Sequence, residues 1–240
     1  LDESVLGEKL GYDGTCVNEH HQNAYGTMPD PNVMASQIVA RTEKIYVGII
    51  GNALPLHQNP LRVAEAVAML DVISGGRIIS GFVRGTGMEY HSLRANPAES
   101  RDRFWEAHDL ILKAWTTHDG PFSWEGRFFH HRQVNIWPRP YQQPHPPVWI
   151  TALITSSVPA VAEKGYVVAT FLTGFEIAKR IFDFYREAAA RLGRETPSDR
   201  LAYAALVYTG DTDEAGEAGA RKLMWYVHAN KVPPQFVMPP

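Results

Sequence analysis

The sequence predicts a parallel α/β fold, a (β/α)8 TIM barrel from which one or more terminal strands are absent. Helix-like and strand-like segments alternate along the chain, which is the pattern of a parallel sheet covered by helices. The strands read as near-continuous apolar runs, as at residues 45–50 and 78–83, which indicates burial on both faces. Their number approaches the eight strands of a barrel. We therefore expect residues 1–240 to form a single, partial barrel domain.

Clear start and stop signals delimit the elements of the first part of the chain. Asp30-Pro31 and Asn59-Pro60 each combine a capping side chain with proline at the first helical position. Gly75-Gly76 ends the second of these helices before the next strand begins. The predicted helices cover residues 2–10, 30–41 and 59–73, and the predicted strands cover residues 13–18, 45–50 and 78–83.

The second part follows the same alternation around one long insertion. Asn96-Pro97-Ala98-Glu99 is a capping box, and the helix that it opens extends to about Trp115. Residues 120–147 are too many for an ordinary connection, so we expect a hairpin and an irregular segment near the barrel mouth. The remaining predicted strands cover residues 148–152, 167–172 and 201–208, with helices at 157–164, 175–192 and 213–229.

The composition of the chain argues against nucleic-acid binding, membrane insertion and a disulfide-stabilised fold. The 240 residues carry a net charge of −3, so we expect no nucleic-acid partner. No apolar run approaches the roughly 20 residues that span a bilayer, so we expect no membrane partner. The single cysteine, Cys16, excludes an internal disulfide framework and fits a reducing compartment. We expect a cytoplasmic protein and, because the first residue is Leu1 rather than Met, a fragment of a longer one.

Titratable side chains follow successive predicted strands. Glu19-His20-His21 follows the first strand, His57 the second and Arg84 the third. Because the active sites of barrels lie at the carboxyl ends of the strands, this distribution indicates an active site.

Three roles are open to the histidine pair. A neutral imidazole exchanges protons readily near pH 7, which favours His20 or His21 as an acid or base. Adjacent histidines on extended backbone point in different directions, and no further ligand recurs at a suitable spacing, so we expect no metal site. A buried, hydrogen-bonded histidine without a catalytic role is the third alternative.

Two arginines indicate an anion site. Arg84 ends an apolar strand beside Gly85, and a salt bridge to a neighbouring loop is its alternative role. Arg101 lies in the first turn of a helix, where a positive charge opposes the helix dipole unless an anion is nearby. Together with the hydroxyls of Thr155-Ser156-Ser157 at a helix start, these groups suggest a phosphate site. Glu89-Tyr90-His91 is expected only to cap a surface loop.

Longer motifs run in order along the chain. They include Glu19-His20-His21, Leu54-Pro55-Leu56-His57-Gln58-Asn59-Pro60, Ser74-Gly75-Gly76-Arg77, Gly81-Phe82-Val83-Arg84-Gly85 and Pro138-Arg139-Pro140-Tyr141. As a set they resemble the bacterial luciferase-like family of flavin-dependent monooxygenases. The resemblance is close over about residues 5–165 and looser beyond.

The resemblance implies a fold, a cofactor and a set of site residues. The family has a (β/α)8 barrel, binds FMNH2 supplied by a separate NAD(P)H:flavin reductase, and oxidises its substrate with O2 through a flavin C4a-peroxide. It implies catalytic roles for Glu19, His20 and His21, His20 being the histidine near the flavin. The cofactor contacts that it implies are Arg84 and Arg101 on the phosphate, with Ser157, Gly85 and a non-proline cis peptide near Ile50-Gly51.

Two positions depart from luciferase itself. A further serine that contacts the phosphate there is Ile154 here, and the reactive cysteine before the strand-end arginine is Val83. Thiol chemistry at position 83 is therefore excluded.

These observations leave three function hypotheses. The first is an FMNH2-dependent monooxygenase acting with O2 on a small apolar substrate such as an aldehyde, ketone or terpene. The second is an F420-dependent oxidoreductase of the same superfamily, which transfers hydride without O2. The third is a non-catalytic flavin-binding partner subunit, against which the retained Glu19-His20-His21 argues. The resemblance also implies a homodimer.

Overall fold

The computed structural model describes residues 1–22 and 26–229. The chain divides into two compact units, Leu1–Thr151 and Ala152–Pro240. A single barrel domain over residues 1–240 stays a prediction.

The first unit contains the elements expected from the sequence and one further helix. In chain order they are α1 (Asp2–Lys9), β1 (Gly14–Val17), α2 (Pro31–Val39), β2 (Tyr46–Ala53), α3 (Pro60–Ser74), β3 (Ile78–Val83), α4 (Gly87–Ser92), α5 (Ser100–Thr116), β4 (Phe122–Glu125), β5 (His130–Val134) and β6 (Val148–Thr151). The short helix α4 is the element that the sequence did not predict. Residues 97–99 form a separate 3-10 turn, so α5 begins later than its capping box suggested.

Caps explain where the helices begin and end. The Asp30 carboxylate accepts hydrogen bonds from the backbone N–H groups of Asn32 and Val33 at the start of α2. Asn59 does the same for Leu61 at the start of α3. Gly75 adopts φ of 67°, the left-handed conformation that ends α3 and favours glycine.

Four parallel strands of the first unit pair in the order β1-β2-β3-β6. Helices α3 and α5 cover one face of this sheet, where the buried Phe82 ring stacks on Trp115 with centroids 6.3 Å apart. The Trp115 indole N–H donates to the backbone oxygen of Ala64 in α3 at 2.9 Å. Because the strands are parallel, their carboxyl ends lie along one edge of the sheet, and that edge carries the candidate site.

Strands β2 and β3 approach so closely that only glycine fits between them. A Cβ placed on Gly51 would lie 2.5 Å from the backbone oxygen of Gly81, and one placed on Gly81 would lie 2.5 Å from the backbone oxygen of Ile49. The peptide bond between Ile50 and Gly51 is cis, as the resemblance implied.

The insertion contains an antiparallel hairpin formed by β4 and β5. One carboxylate anchors its loop, since Glu106 of α5 accepts hydrogen bonds from the backbone N–H groups of Arg127, Phe128 and Phe129. The Glu106 carboxylate therefore ties the backbone of the loop to α5, and an ion pair between Arg127 and Asp102 of the same helix adds to it.

The second unit alternates helix and strand in the same way. It contains α6 (Val158–Lys164), β7 (Val167–Phe171), α7 (Phe175–Arg191), β8 (Leu201–Ala204) and α8 (Asp213–Ala229). Strands β7 and β8 are parallel, with Phe171 opposite Ala204. The strand predicted to reach Tyr208 ends at Ala204 because its pairing partner ends there.

No helix within residues 1–22 and 26–229 is both long and apolar enough to cross a membrane.

Candidate active site

Polar side chains of the first unit gather where β1, β2 and β3 end. Glu19, His20 and His21 follow β1, His57 follows a 3-10 turn after β2, and Glu89 lies in α4 beyond β3. Two buried carboxylates, Glu19 and Glu89, are 3% and 0% exposed and organise the three histidines.

Glu19 binds two histidines at once. Its Oε1 lies 2.8 Å from Nε2 of His21, and its Oε2 lies 3.2 Å from Nε2 of His57. The backbone N–H of Ala53, the last residue of β2, donates to Oε2 at 2.9 Å. Glu19 therefore connects the ends of β1 and β2 through one carboxylate.

These contacts keep Glu19 ionised. Burial alone would raise the pKa of this carboxyl, but the hydrogen bonds from His21, His57 and Ala53 outweigh it and lower the pKa to about 2. The Glu19 hydrogen bond raises the pKa of His21 in turn, against an opposing effect of burial. The Glu19–His21 pair thus favours the charged form of both partners.

Glu89 holds the other histidine of the pair. Its Oε1 lies 2.9 Å from Nδ1 of His20 and 3.1 Å from the backbone nitrogen of His21, while Oε2 accepts from the backbone N–H of Thr86 at 2.8 Å. Burial raises the pKa of Glu89, but the contacts with His20, Thr86 and His21 lower it overall. The expectation that residues 89–91 only cap a surface loop was wrong, because Glu89 and Tyr90 are buried.

The two carboxylates determine which ring nitrogens carry protons. An ionised carboxylate only accepts hydrogen bonds, so Nδ1 of His20 and Nε2 of His21 and of His57 must be the donors. The adjacent histidines turn towards different carboxylates, as expected for extended backbone. Among the described residues, no group of three or more His, Cys, Asp or Glu side chains is arranged to hold a metal ion.

An apolar cluster adjoins this polar network. Ala53, Leu56 and Tyr90 are buried together, and Val83 and Leu93 pack against them. Gly85 adopts φ of 87° and allows this close packing, since a Cβ there would lie 3.3 Å from Leu56.

Arg84 lies at the carboxyl end of β3 with its side chain exposed. Within the part of the chain that the structure describes, no side chain forms an ion pair with its guanidinium, and the salt bridge considered as its alternative role is not seen there. Its backbone oxygen accepts a hydrogen bond from the Tyr90 hydroxyl at 2.6 Å. Burial raises the pKa of Tyr90, whereas the adjacent Ser100 and Arg84 lower it. Tyr90 therefore connects the end of β3 to the start of α5, where Arg101 lies.

The other predicted cofactor contacts occupy different positions in the fold. Ile50 and Gly51 lie inside β2, and Ile50 is partly exposed whereas Gly51 is buried. Ser157 belongs to the second unit, where it is partly exposed and ends the 3-10 turn before α6. Ile154, at the start of that turn, is 50% exposed.

The residues present fit the phosphate of a flavin mononucleotide at one point. The Arg84 guanidinium is exposed and has no carboxylate partner within residues 1–22 and 26–229, so it offers paired donors for phosphate oxygens. The structure thus places the exposed charge of Arg84 where the sequence predicts a phosphate-binding site.

Sequence reasoning missed two members of the network. The sequence predicts only a capping role for Glu89, whereas the structure adds its contacts with the histidine pair. Nothing in the sequence marks Arg103, yet it donates to the backbone oxygens of Pro55 and His57 at 3.0 and 3.1 Å and so fixes the turn that carries His57. No local motif predicts either tertiary contact.

Comparison with known proteins places the chain in a family. The family model described as luciferase-like monooxygenase matches residues 1–236. The alkanal monooxygenase alpha chain of Photobacterium leiognathi is 26% identical over 226 residues, which are 92% of this chain and 63% of that protein.

Two solved structures share the fold. The monooxygenase RslO1 from Streptomyces bottropensis superposes with a TM-score of 0.85 at 29% identity, covering 95% of this chain and 71% of that one. The oxygenating constituent of 3,6-diketocamphane monooxygenase from Pseudomonas putida, in complex with FMN, has a TM-score of 0.83 at 20% identity, covering 95% and 67%. The predicted fold class, a partial TIM-barrel-like α/β fold, is therefore confirmed, and the chain spans about two thirds of the length of these proteins.

Proposed function

The chain belongs to the luciferase-like monooxygenase family, and from this premise we propose that its protein is an FMNH2-dependent monooxygenase acting with O2 on a small apolar substrate. The observation that carries the proposal is the pair of buried carboxylates, Glu19 and Glu89, which hold three histidines at the strand ends. Burying two carboxylates is costly unless each is fully paired. A chain that only binds flavin has no need of this arrangement.

The proposed cofactor site uses the positive charge beside β3. Arg84 would hold the phosphate of FMN, with Arg101 of α5 as the second arginine. Gly85 and the Ile50-Gly51 segment are the proposed backbone contacts, and Ser157 stays a prediction from the resemblance. FMN, bound in its reduced form, would supply the two electrons of the reaction and the site at which O2 is activated.

His20 is the proposed acid–base residue. With Nδ1 donating to Glu89, the basic nitrogen of its neutral ring is Nε2, which can hold or release a proton at the flavin. His21 and Glu19 form a charged pair that follows the same strand. The apolar cluster of Ala53, Leu56 and Tyr90 would exclude water on this side of the site.

The names of two relatives support the proposed substrate class. One is named for alkanals and another for a diketocamphane, both of which are small and largely apolar carbonyl compounds. We propose an aldehyde, ketone or terpene as substrate, a separate NAD(P)H:flavin reductase as the source of FMNH2, and a homodimer as the assembly.

The test combines binding with turnover, using the full-length protein. FMNH2 is titrated anaerobically, and the protein is then supplied with NADH, FMN, a flavin reductase and 18O2 in the presence of aldehydes, ketones and terpenes. We expect one 18O atom in the product of at least one substrate and a micromolar or tighter Kd for FMNH2. Arg84→Ala should weaken FMNH2 binding about tenfold or more, because a charge-assisted phosphate contact is lost. Arg191→Ala, which removes an exposed arginine at the end of α7, is the matched control and should leave the Kd unchanged.

Two other results would replace the proposal. Consumption of reduced F420 without O2 uptake would identify the hydride-transfer enzyme. Tight binding of FMNH2 with no product from any substrate class would identify a flavin-binding partner subunit.

A further inference from the structure

Glu89 is buried far more completely than helix capping requires. In a capping box the glutamate needs one carboxylate oxygen for the backbone N–H of the capping residue, and such residues lie at the surface in most helices. Here Oε2 makes that bond to Thr86, yet the whole side chain is 0% exposed. The second oxygen must therefore account for the burial.

That second oxygen fixes both the ring and the backbone of the histidine pair. Oε1 accepts from Nδ1 of His20 at 2.9 Å and from the backbone N–H of His21 at 3.1 Å. One atom thus sets the direction of the His20 ring and the path of the chain that follows it. The Thr86 bond holds the carboxylate in place from the opposite side, so its orientation is determined by three donors.

We propose that Glu89 is a positioning residue, which holds His20 in the Nδ1–H tautomer and keeps Nε2 as its basic nitrogen. The proposal rests on the proposed function for its catalytic consequence, but its structural content is independent of the cofactor. A carboxylate that receives an imidazole N–H selects the tautomer of the ring, as second-layer carboxylates do elsewhere in enzymes.

Replacement by methionine separates this role from capping. Glu89→Met keeps the approximate length of the side chain but offers no oxygen to the His20, His21 and Thr86 donors. Without an acceptor opposite Nδ1, the ring of His20 is no longer held in a single tautomer. Thr86→Ala is the matched control, because it removes the reciprocal half of the same capping box and leaves the Glu89 carboxylate intact.

The experiment reads the tautomer directly. Two-bond 1H–15N NMR correlations on the 15N-histidine-labelled full-length protein distinguish the two tautomers, and His20→Gln assigns the His20 signals. We expect the Nδ1–H tautomer in the wild type and in Thr86→Ala, and a mixed or Nε2–H tautomer in Glu89→Met. Glu89→Asp, which shortens the reach to His20 while keeping the charge, provides a second variant if the methionine protein folds poorly.

A wild-type His20 in the Nε2–H tautomer would overturn the proposal, and so would an unchanged tautomer in the Glu89 variants. With the oxygenase assay, we expect Glu89→Met to lower kcat by about tenfold to a hundredfold with KM nearly unchanged, and Thr86→Ala to lower neither. An NMR result as expected, in a wild-type protein that oxidises no substrate, would contradict the proposed function and leave the role of Glu89 standing.

Discussion

The two ends of β3 each carry an arginine, and the two side chains are used in opposite ways. Arg77, just before the strand, donates to Ser74, to the Thr42 hydroxyl and to the backbone oxygens of Val39, Thr42 and Ile45. All five N–H donors of its guanidinium are therefore used within the fold. Arg84, just after the strand, is exposed and has no ion-pair partner in the described part of the chain.

The difference teaches how this fold separates stability from function. At the amino end of β3 the guanidinium is satisfied mainly by backbone oxygens, and its contacts tie α2 and α3 to the residues just before β2. At the carboxyl end the polar groups are arranged as histidine–carboxylate pairs beside an exposed cation. Barrel folds have their active sites at the carboxyl ends of the strands. An arginine before a strand is therefore expected to stabilise the fold, whereas an arginine after a strand is expected to bind a ligand.

The largest expected effect on stability comes from removing the Arg77 guanidinium at the amino end of β3. Arg77→Ala leaves four backbone oxygens and a hydroxyl without their donor, so we expect the free energy of unfolding to fall by about 3 kcal/mol. Urea denaturation followed by circular dichroism measures it. A loss below about 1 kcal/mol would show that water replaces the guanidinium easily. Arg77 would then not be the structural residue that we contrast with Arg84.

At the carboxyl end of the strands, Glu19 also contributes to the free energy of unfolding, and its contribution depends on pH. The pKa of Glu19 is about 2 in the folded protein against a usual value of 4.5, so its contribution is present above pH 4.5 and is lost as the pH falls towards 2. We expect Glu19→Gln to cost about 3 kcal/mol at pH 7 and about 1 kcal/mol less than that at pH 4. Urea denaturation at both values tests this, with the exposed Glu3→Gln as the control. A cost that does not depend on pH would mean that packing rather than ionisation carries the effect.

The middle of the strand should tolerate even a methyl group poorly. Gly81→Ala would place a Cβ 2.5 Å from the backbone oxygen of Ile49, so we expect a loss of about 2 kcal/mol in the free energy of unfolding. Gly7→Ala in α1 is the control, because a Cβ there meets only an ordinary contact at 3.9 Å and alanine favours a helix. Equal unfolding free energies for the two variants would show that β2 and β3 can separate without cost.

The smallest effect on stability is expected at Arg84. Its guanidinium is exposed and makes no hydrogen bond or ion pair within the described residues, so Arg84→Ala should change the free energy of unfolding by less than about 0.5 kcal/mol. Denaturation of the same preparation used for the FMNH2 titration checks this. A loss as large as that of Arg77→Ala would show that both ends of β3 are structural.

Much of this fold could be predicted because its signals are local. Proline after Asp30 and Asn59, and glycine after Ser74, act within a few residues of the chain, so the helices that they delimit were predicted correctly. The α4 helix was missed because its glutamate is buried by His20, almost 70 positions earlier in the chain.

The site residues were predictable only in part. Residues that follow a strand directly, such as Glu19, His20, His21 and Arg84, could be predicted from the position of active sites in barrels. The contact of Glu19 with His57 could not, because it joins residues that are far apart in the sequence, and the same holds for Arg103 and the turn after β2. The last predicted strand was too long, since periodicity does not reveal where a pairing partner ends.

One guanidinium carries a consequence for engineering. Arg103 holds the backbone oxygens of Pro55 and His57, and its charge also lies 4.5 Å from the centre of the Phe129 ring in the hairpin loop. The same guanidinium lies 5.9 Å from the centre of the Phe128 ring, so directed evolution that remodels the hairpin would reach the histidine network through positions 128 and 129. A library that keeps Phe128 and Phe129 and varies the outward positions of β4 and β5 should change substrate preference while preserving turnover, whereas a library that varies positions 128 and 129 should select compensating changes at position 103.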